Sequence, residues 1–374
     1  MENTQTLIRT RDEGREHTRE MLIDDKVVCW LGVIDFTMRI GAGTARMAGI
    51  AGVETRHEHR KKGYMRILFA DTVTYMQQQG YDVTMLYGIP DFYTKFGYAV
   101  CLSDPSVKLQ TRDAELARSL AQPITTAPTT PADWPAIIDL FNQRNAARTC
   151  SMARAADTFK GFQKGSYWDV RAESVAIRDS HDRFAGYVVW DQNAEAVHVV
   201  ELEVADEALY PALLAMLAQE AVKKRCGDIT FHLPLDHPFG EFAQRYGCEW
   251  SVRHFRHANG MGRILNQASL FDKLMPTLQK RVAESPKRDH SFALILRTDL
   301  GETTLMFGAP GEQPGGVLDL SQDRLMQLVL GYRSATDVLN DPAVQAQSTH
   351  PNFREWLDVL FPRGYPHNWL PDYF

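Results

Sequence analysis

The sequence lacks the features of several large protein classes. Its 374 residues include 5 cysteines, odd in number and widely separated, so neither a disulfide framework nor a zinc site with short paired spacing is predicted. No run of about 18 apolar residues occurs, which argues against a membrane-spanning helix. The polar N-terminal segment has no apolar core of a signal peptide. We therefore predict a soluble, cytoplasmic protein with reduced cysteines.

Positive charge is not in excess either. The chain has 41 Lys and Arg residues against 47 Asp and Glu, a net charge of −6. Such a chain has no general attraction for nucleic acid or an anionic membrane, so neither is predicted as a partner. A phosphate-bearing ligand would need a local basic cluster.

Other catalytic and metal-binding signatures are missing. No GxSxG or Walker sequence occurs. His57 and His59 flank Glu58, but neighbours in one loop without a further ligand do not predict a metal site. No metal is therefore expected.

What is present is a length and a pattern typical of several folded units. A chain of 374 residues exceeds one ordinary hydrophobic core, which predicts two or three domains. Paired strands are predicted from Val27 to Val53, with AGTARMA as a link, then a helix from near Lys62 that Gly80 ends. The strand DVTMLYG follows. This order predicts a crossover between parallel strands, with a ligand at their carboxyl ends.

The rest of the chain divides into two further units. Residues 111–131, rich in Thr, Ala and Pro, are predicted to be a linker. The pattern of strands around helices is then repeated up to about residue 267, and a compact α+β module follows. The aromatic tail PRGYPHNWLPDYF is too apolar for a disordered terminus and is predicted to pack against the molecule.

One basic cluster stands where the crossover predicts a ligand. Arg60, Lys61, Lys62 and Gly63 lie between a strand ending near Thr55 and the start of the helix. A glycine allows close backbone approach, and a helix N-terminus attracts anions, so the segment predicts a pyrophosphate site. The alternative is a solvated charged turn.

The run from Arg60 to Met65 resembles the acyl-CoA motif (R/Q)xxGx(G/A) of the GNAT superfamily. Met65 replaces the small final residue, and in this the loop resembles the enhanced-intracellular-survival (Eis) type of amine acetyltransferase. The later segment FYTKFGY is similar to the family segment that carries a general acid, which makes Tyr93 the candidate acid. The alternative role for Tyr93 is packing beside Phe92 and Phe96.

The resemblance implies an architecture for the whole chain, α/β and α+β. Residues 1–115 would be a GNAT catalytic domain shortened at its start, residues 116–267 a degenerate GNAT-like domain, and residues 268–374 a sterol-carrier-protein-like α+β domain. In this family the C-terminal carboxylate acts as general base, and here it belongs to Phe374. The alternative role for Phe374 is that of a hydrophobic anchor.

The resemblance also implies an activity, which is direct acetyl transfer from acetyl-CoA to a primary amine of a small polycationic or peptide-like acceptor. Asp35 and Asp372 are hypothesised to attract such a cation. A homo-oligomer is compatible with the family. A binding protein that holds a lipid in the last unit is the alternative. The implied cofactor-binding residues are Val53, Thr55, Arg60, Lys61, Lys62, Gly63, Tyr64, Met65, Arg66, Gly88 and Ile89.

Overall fold

The structure, a computed structural model, describes residues 6–167, 169–308, 315–348 and 350–374. Its first elements are β1 (Thr6–Glu13), β2 (Glu16–Ile23), β3 (Lys26–Ile40), β4 (Gly43–Thr55), α1 (Tyr64–Gln78), β5 (Val83–Gly88) and β6 (Ala99–Val100). The helix predicted from near Lys62 is confirmed. The prediction of AGTARMA as a link is wrong, because these residues belong mostly to β4 and only Gly41 and Ala42 separate it from β3.

Strands β1 and β2 form a hairpin that the polar N-terminal composition did not indicate. Gly14, with φ 67°, lies in the turn between them. Arg9 and Arg11 on β1 bond the carboxylate of Glu20 on β2 at 2.7 and 3.0 Å. Cross-strand ion pairs thus join two strands that have few apolar residues. The hairpin stands where the family resemblance leads one to expect a strand and two helices.

The middle of the chain follows the predicted order closely. Its elements are β7 (Asp104–Gln110), α2 (Thr111–Ala114), β8 (Thr125–Pro128), α3 (Trp134–Arg144), β9 (Ala172–Arg178), β10 (Phe184–Asp191), β11 (Val197–Val204), α4 (Tyr210–Lys223), β12 (Asp228–Phe231), α5 (Pro238–Ala243), β13 (Glu249–Arg253) and β14 (Asn259–Ile264). The predicted linker, residues 111–131, is wrong: it holds the short helix α2 and the edge strand β8, which pairs with β9.

The last part of the chain adds a smaller sheet and helices. Its elements are α6 (Gln267–Ala283), β15 (Phe292–Thr298), β16 (Gly301–Phe307), β17 (Gly316–Asp319), α7 (Gln322–Val329), α8 (Ala335–Leu339), β18 (Gln345–Gln347) and α9 (Phe353–Leu360). The largest core joins this unit to the first sheet, with Met47, Phe271 and Trp356 among its members. The likeness of this last unit to a sterol-carrier protein stays a prediction.

Two large sheets and one small sheet organise the described residues. The strand orders are β1-β2-β3-β4-β5-β14-β6, β13-β7-β12-β11-β10-β9-β8 and β16-β15-β17-β18. The predicted fold class, two tandem α/β units followed by an α+β unit, is confirmed. Strand β7, from the first unit in sequence, pairs in the second sheet, and β14, from the second, pairs in the first. The two units therefore exchange strands across the boundary predicted near residue 115, and the division of the chain into three domains stays a prediction.

None of the helices in the described ranges is long and apolar enough to cross a membrane.

Candidate active site

The first sheet contains a parallel strand pair of the kind at whose carboxyl ends the sequence predicts a ligand cleft. Strands β4 and β5 pair in parallel from Met47 with Val83 to Ile50 with Leu86. Both strands continue beyond this point, β4 to Thr55 and β5 to Gly88, without pairing to each other. An irregularity in β4 accompanies the change, with Gly52 at φ 57°. The backbone of Val53 and Thr55 therefore borders one side of a gap, and that of Gly88 and Ile89 the other.

The basic loop lies at this same edge of the sheet. Arg60 is exposed and its Nε donates to the carbonyl oxygen of Thr55 at 3.1 Å. Lys61 and Gly63 are left-handed, with φ 63° and 83°, and Gly63 begins α1. Within the described residues, the first turn of α1 contains no acidic residue, and no side chain caps it. The positive end of the helix dipole is therefore not neutralised by a carboxylate of this turn. The other predicted residues are exposed or half-buried there: Lys62, Tyr64, Met65 and Arg66.

Tyr93 lies just beyond the end of β5. A short 3₁₀ turn begins at Tyr93, whose side chain is 7% exposed. Its ring packs against Phe92 and Phe69, with centroids 4.9 and 5.4 Å apart. A Cβ on Gly88 would lie 2.7 Å from the ring, so a glycine at this position makes room for it. Burial raises the pKa of Tyr93, which keeps the phenol protonated.

Phe374, the C-terminal residue, reaches the first sheet. It is 6% exposed, and its ring lies 5.1 Å from that of Phe36 on β3. A Cβ on Gly49 of β4 would lie 2.9 Å from the Phe374 ring, so here too a glycine makes room. Tyr87 on β5 packs against Phe374 and stacks on Tyr373, with centroids 5.6 and 3.8 Å apart. The tail predicted to pack against the molecule does so at the cleft.

The rings of Tyr93 and Phe374 occupy opposite faces of the first sheet. Gly49 is paired with Met85, so the two share a face, whereas Gly88 lies three residues after Met85 and points the other way. Phe374 covers Gly49 and Tyr93 covers Gly88. A group bound in the gap between β4 and β5 would therefore have Tyr93 on one face of the sheet and Phe374 on the other. The assignment of all these residues to catalysis or binding stays a prediction.

A cavity of about 700 Å³ lies on the face that Phe374 covers. Its walls are the turn of the β1–β2 hairpin, Phe36, residues 152–164 and the C-terminal tail, and Phe374 is among the lining residues. Glu16 and Asp157 also line it. It is large enough for a small molecule. The cleft thus has a basic loop at its edge and a cavity on one face.

The second sheet contains a similar parallel pair without the basic loop. Strands β11 and β12 pair from Val197 with Ile229 to Val199 with Phe231, and α4 follows β11. The loop before α4 has acidic residues, and Asp206 accepts a hydrogen bond from the N–H of Ala208 at 2.9 Å. This loop therefore has carboxylates in the position where the loop before α1 has basic side chains. The C-terminal tail contacts β11 instead.

A buried ion cluster holds the tail against β11. The guanidinium of Arg154 donates to both carboxylate oxygens of Glu201 at 2.6 and 2.7 Å and to those of Asp372 at 2.9–3.2 Å. The side chains of Arg154 and Glu201 are 3% and 0% exposed. The guanidinium also lies 3.6 Å over the ring of Phe141. Sequence reasoning missed Arg154 and Glu201, since no motif marks them.

A second polar chain fixes Trp369 of the tail. The indole Nε1 of this fully buried residue donates to Asn145 at 2.8 Å, and Asn145 donates to Glu203 on β11 at 2.9 Å. The imidazole of His237 stands 4.0 Å from the Glu203 carboxylate. Burial and the charge of Glu201 raise the pKa of Glu203 to about 8. The tail therefore rests on a carboxyl group that stays protonated at neutral pH.

Glu203 makes stability depend on pH. Its folded pKa of about 8 lies above the ordinary value of 4.5, so its contribution to the free energy of unfolding is complete below pH 4.5 and is lost as the pH rises through 8. We expect Glu203→Gln to abolish this pH-dependent decrease in the free energy of unfolding, which is on the order of a few kcal/mol. Urea unfolding of both proteins between pH 5 and about 9 checks it. A constant difference between them across this range would contradict the prediction.

Comparisons with known proteins agree with this geometry. Residues 3–101 match the family model described as an acetyltransferase (GNAT) domain. A search of the curated proteins gave no significant match. Among the described residues no group of three or more His, Cys, Asp or Glu could hold a metal.

Several solved structures share the fold over nearly the whole chain. A GCN5-related N-acetyltransferase from Kribbella flavida has 18% identity and a TM-score of 0.70, over 96% of this chain and 88% of that one. A conserved protein of unknown function from Enterococcus faecalis V583, described as a probable N-acyltransferase, has 15% identity and a TM-score of 0.75, over 99% and 100%. Eis1 from Mycobacterium abscessus has 17% identity and a TM-score of 0.64, over 97% and 92%.

At these identities the solved structures show the fold, and the family model matches residues of the first unit. The basic loop, the gap between β4 and β5, and Tyr93 all lie within the matched residues. The match of residues 3–101 to the acetyltransferase (GNAT) domain model confirms the prediction that this protein is an N-acetyltransferase.

Proposed function

We propose that the protein transfers an acetyl group from acetyl-CoA directly to a primary amine of a small molecule, without a covalent acyl-enzyme. The observation that carries the proposal is the position of Phe374, whose ring covers Gly49, one residue before the last pair that β4 makes with β5. The terminal carboxylate of this residue is assigned to the gap between β4 and β5, whose edge has the basic loop.

Acetyl-CoA binding is assigned to the edge of the first sheet. The backbone of Val53 and Thr55, in the part of β4 that does not pair with β5, would hydrogen-bond the pantetheine, and Gly88 and Ile89 would border the thioester. The pyrophosphate would lie at the start of α1, where N–H groups, dipole and side-chain charge act together. The residues assigned to it are Arg60, Lys61, Lys62, Gly63, Tyr64, Met65 and Arg66.

The proposed chemistry requires one base and one acid. The Phe374 carboxylate accepts a proton from the substrate ammonium, directly or through water, and the free amine attacks the thioester carbonyl. The C–N bond forms, the C–S bond breaks, and Tyr93 donates its proton to the departing thiolate. The nitrogen, which is positively charged after the attack, loses its second proton to solvent, and solvent returns a proton to Tyr93. Positions on opposite faces of the sheet suit this division, because the amine approaches from one side and the sulfur is protonated from the other.

The cavity on the Phe374 face is assigned to the acceptor amine. Asp35 and Asp372 do not suit the role proposed for them from charge alone, since Arg46 bonds Asp35 at 3.2 Å and Arg154 neutralises Asp372. Glu16 and Asp157 line the cavity and are proposed to bind the cation instead, although Arg15, Lys160 and Lys164 also line it.

A C-terminal extension tests the proposal. We expect two or three residues added after Phe374 to lower kcat by at least about tenfold, because the carboxylate is moved away from the cleft. CoA-thiol release is measured with a panel of polyamines and aminoglycosides, and acetyl-CoA binding by calorimetry. The control adds the same residues before Met1. Equal activity of native and extended proteins would overturn the role of Phe374, and a failure of the native protein to bind acetyl-CoA would overturn the proposed reaction.

A further inference from the structure

A second cavity, of about 290 Å³, lies where the three units meet. Its lining comes from the turn between β3 and β4, the end of α3 and the segment after it, Asp236 before α5, α6, the end of α7 and the segment after α9. Four arginines from these elements line it: Arg144, Arg148, Arg281 and Arg363. Asp236 is the single carboxylate among the described residues that line it. The lining is thus strongly positive in an acidic protein.

The contacts of these arginines leave most of their charge uncompensated. Arg144 donates to the carbonyl of Val204 at 2.7 and 3.0 Å, and Arg281 to the carbonyl of Leu360 at 2.6 Å. A carbonyl oxygen satisfies a hydrogen bond but has no net charge.

The other two arginines differ in their partners. Arg363 donates to the carbonyl of Tyr332 and stands 4.0 Å from the carboxylate of Asp337, which is outside the cavity lining. Arg148 alone bonds a lining carboxylate, that of Asp236 at 2.7 Å. Four guanidinium groups therefore face one lining carboxylate.

Arg281 shows most clearly that the cavity is organised around positive charge. Its side chain is partly buried, and this desolvation lowers its pKa. A Cβ on Gly41 would lie 2.6 Å from its Nη2, so the guanidinium is packed tightly against the backbone. A guanidinium has five N–H donors, of which the observed bond uses one. The remaining donors are available to an anion.

We propose that this cavity binds the phosphoryl group of a small molecule. Planar guanidinium groups bind phosphate oxygens in pairs, and a dianion offsets the net positive lining better than a single carboxylate would. The volume is enough for a phosphate with a small organic portion. Binding would join residues of all three units and stabilise their arrangement.

The site is separate from the one assigned to acetyl-CoA. Gly41 precedes the first residue of β4, whereas the basic loop follows the last, Thr55. At about 3.3 Å per residue, the 13 residues of β4 place the two ends roughly 40 Å apart. Neither site therefore depends on the other, and the inference does not rest on the proposed reaction.

Inorganic phosphate is the probe for the test. Binding is measured by calorimetry and by Tm at constant ionic strength, with CoA present in saturating amounts. The variant Arg281→Gln/Arg363→Gln removes two cavity charges, and Lys61→Gln/Lys62→Gln is the matched control with two charges removed from the basic loop. We expect the first to weaken phosphate binding by about tenfold or more and the control to leave it within about twofold.

A second variant, Asp236→Asn, should strengthen phosphate binding and leaves all four arginines of the cavity in place. Asp236 is about half exposed, and Asp236→Asn frees Arg148 for the anion. We expect it to tighten phosphate binding several-fold. The inference fails if the native protein does not bind phosphate, if both double variants respond alike, or if Asp236→Asn leaves the affinity unchanged.

Discussion

Replacing Arg154 by methionine is expected to lower the free energy of unfolding by about 3–5 kcal/mol. Methionine fills similar space over the ring of Phe141, but it leaves the carboxylate of Glu201, which is 0% exposed, without its cation. It also releases Asp372, two residues before Phe374. We therefore expect carboxypeptidase to remove Phe374 faster and kcat to fall more than the loss of folded protein explains. Urea unfolding, carboxypeptidase release and kcat check these expectations.

An exposed ion pair between an arginine and a carboxylate provides the control. Arg183 donates to Asp179 at 2.7 and 2.9 Å, but its side chain is 74% exposed. Arg183→Met should cost about 0–1 kcal/mol and leave the tail in place. Adding Glu201→Gln to Arg154→Met should recover part of the stability, because no unpaired charge then remains buried. Equal stability of the Arg154 and Arg183 variants would contradict the role given to the buried cluster.

Replacing Tyr93 by phenylalanine is expected to lower kcat by about 10²–10⁴-fold with little change in KM for acetyl-CoA. The variant keeps the ring that packs on Phe69 and Phe92 and removes only the hydroxyl proposed to protonate the thiolate. Burial raises the pKa of Tyr93 above the ordinary tyrosine value of 10. Deprotonation of Tyr93 should therefore cause no loss of activity in the native enzyme below pH 10. Steady-state kinetics across pH measures both effects.

Tyr98 offers a matched substitution in the same aromatic cluster. Its ring lies 6.4 Å from that of Tyr93, and its hydroxyl bonds the Thr84 hydroxyl at 3.0 Å. Tyr98→Phe should cost roughly 1 kcal/mol of stability and leave kcat nearly unchanged. If Tyr93→Phe has the same small effect, Tyr93 is a packing residue and another group must protonate the sulfur.

Local pattern was enough to predict the elements around the cleft. The apolar spacing from Met65 to Met76 and the glycine at 80 indicated α1, and the basic run indicated the loop before it. These features depend on neighbours in sequence, which is why the helix and loop could be located to within a few residues. The GNAT domain followed from the same short segment.

Features that depend on distant partners could not be predicted. The N-terminal residues have the polar composition of a loop, yet Arg9, Arg11 and Glu20 compensate one another once two strands pair. Strand exchange places β14 between β5 and β6, a pairing that nothing near residue 259 announces. Likewise Arg154 gains its importance from Glu201 and Asp372, which are 47 and 218 residues away in the chain.

The place of the C-terminal tail has a consequence for how the enzyme is made. A ribosome synthesises the chain from its N-terminus, and early domains begin to fold before later ones exist. Here Trp369 completes the core of the second unit and Phe374 lies against β4 of the first, so neither unit is fully packed until residues 369–374 have been synthesised. Both units are therefore expected to stay incompletely folded while the third unit is being made, and to reach their final packing together with it.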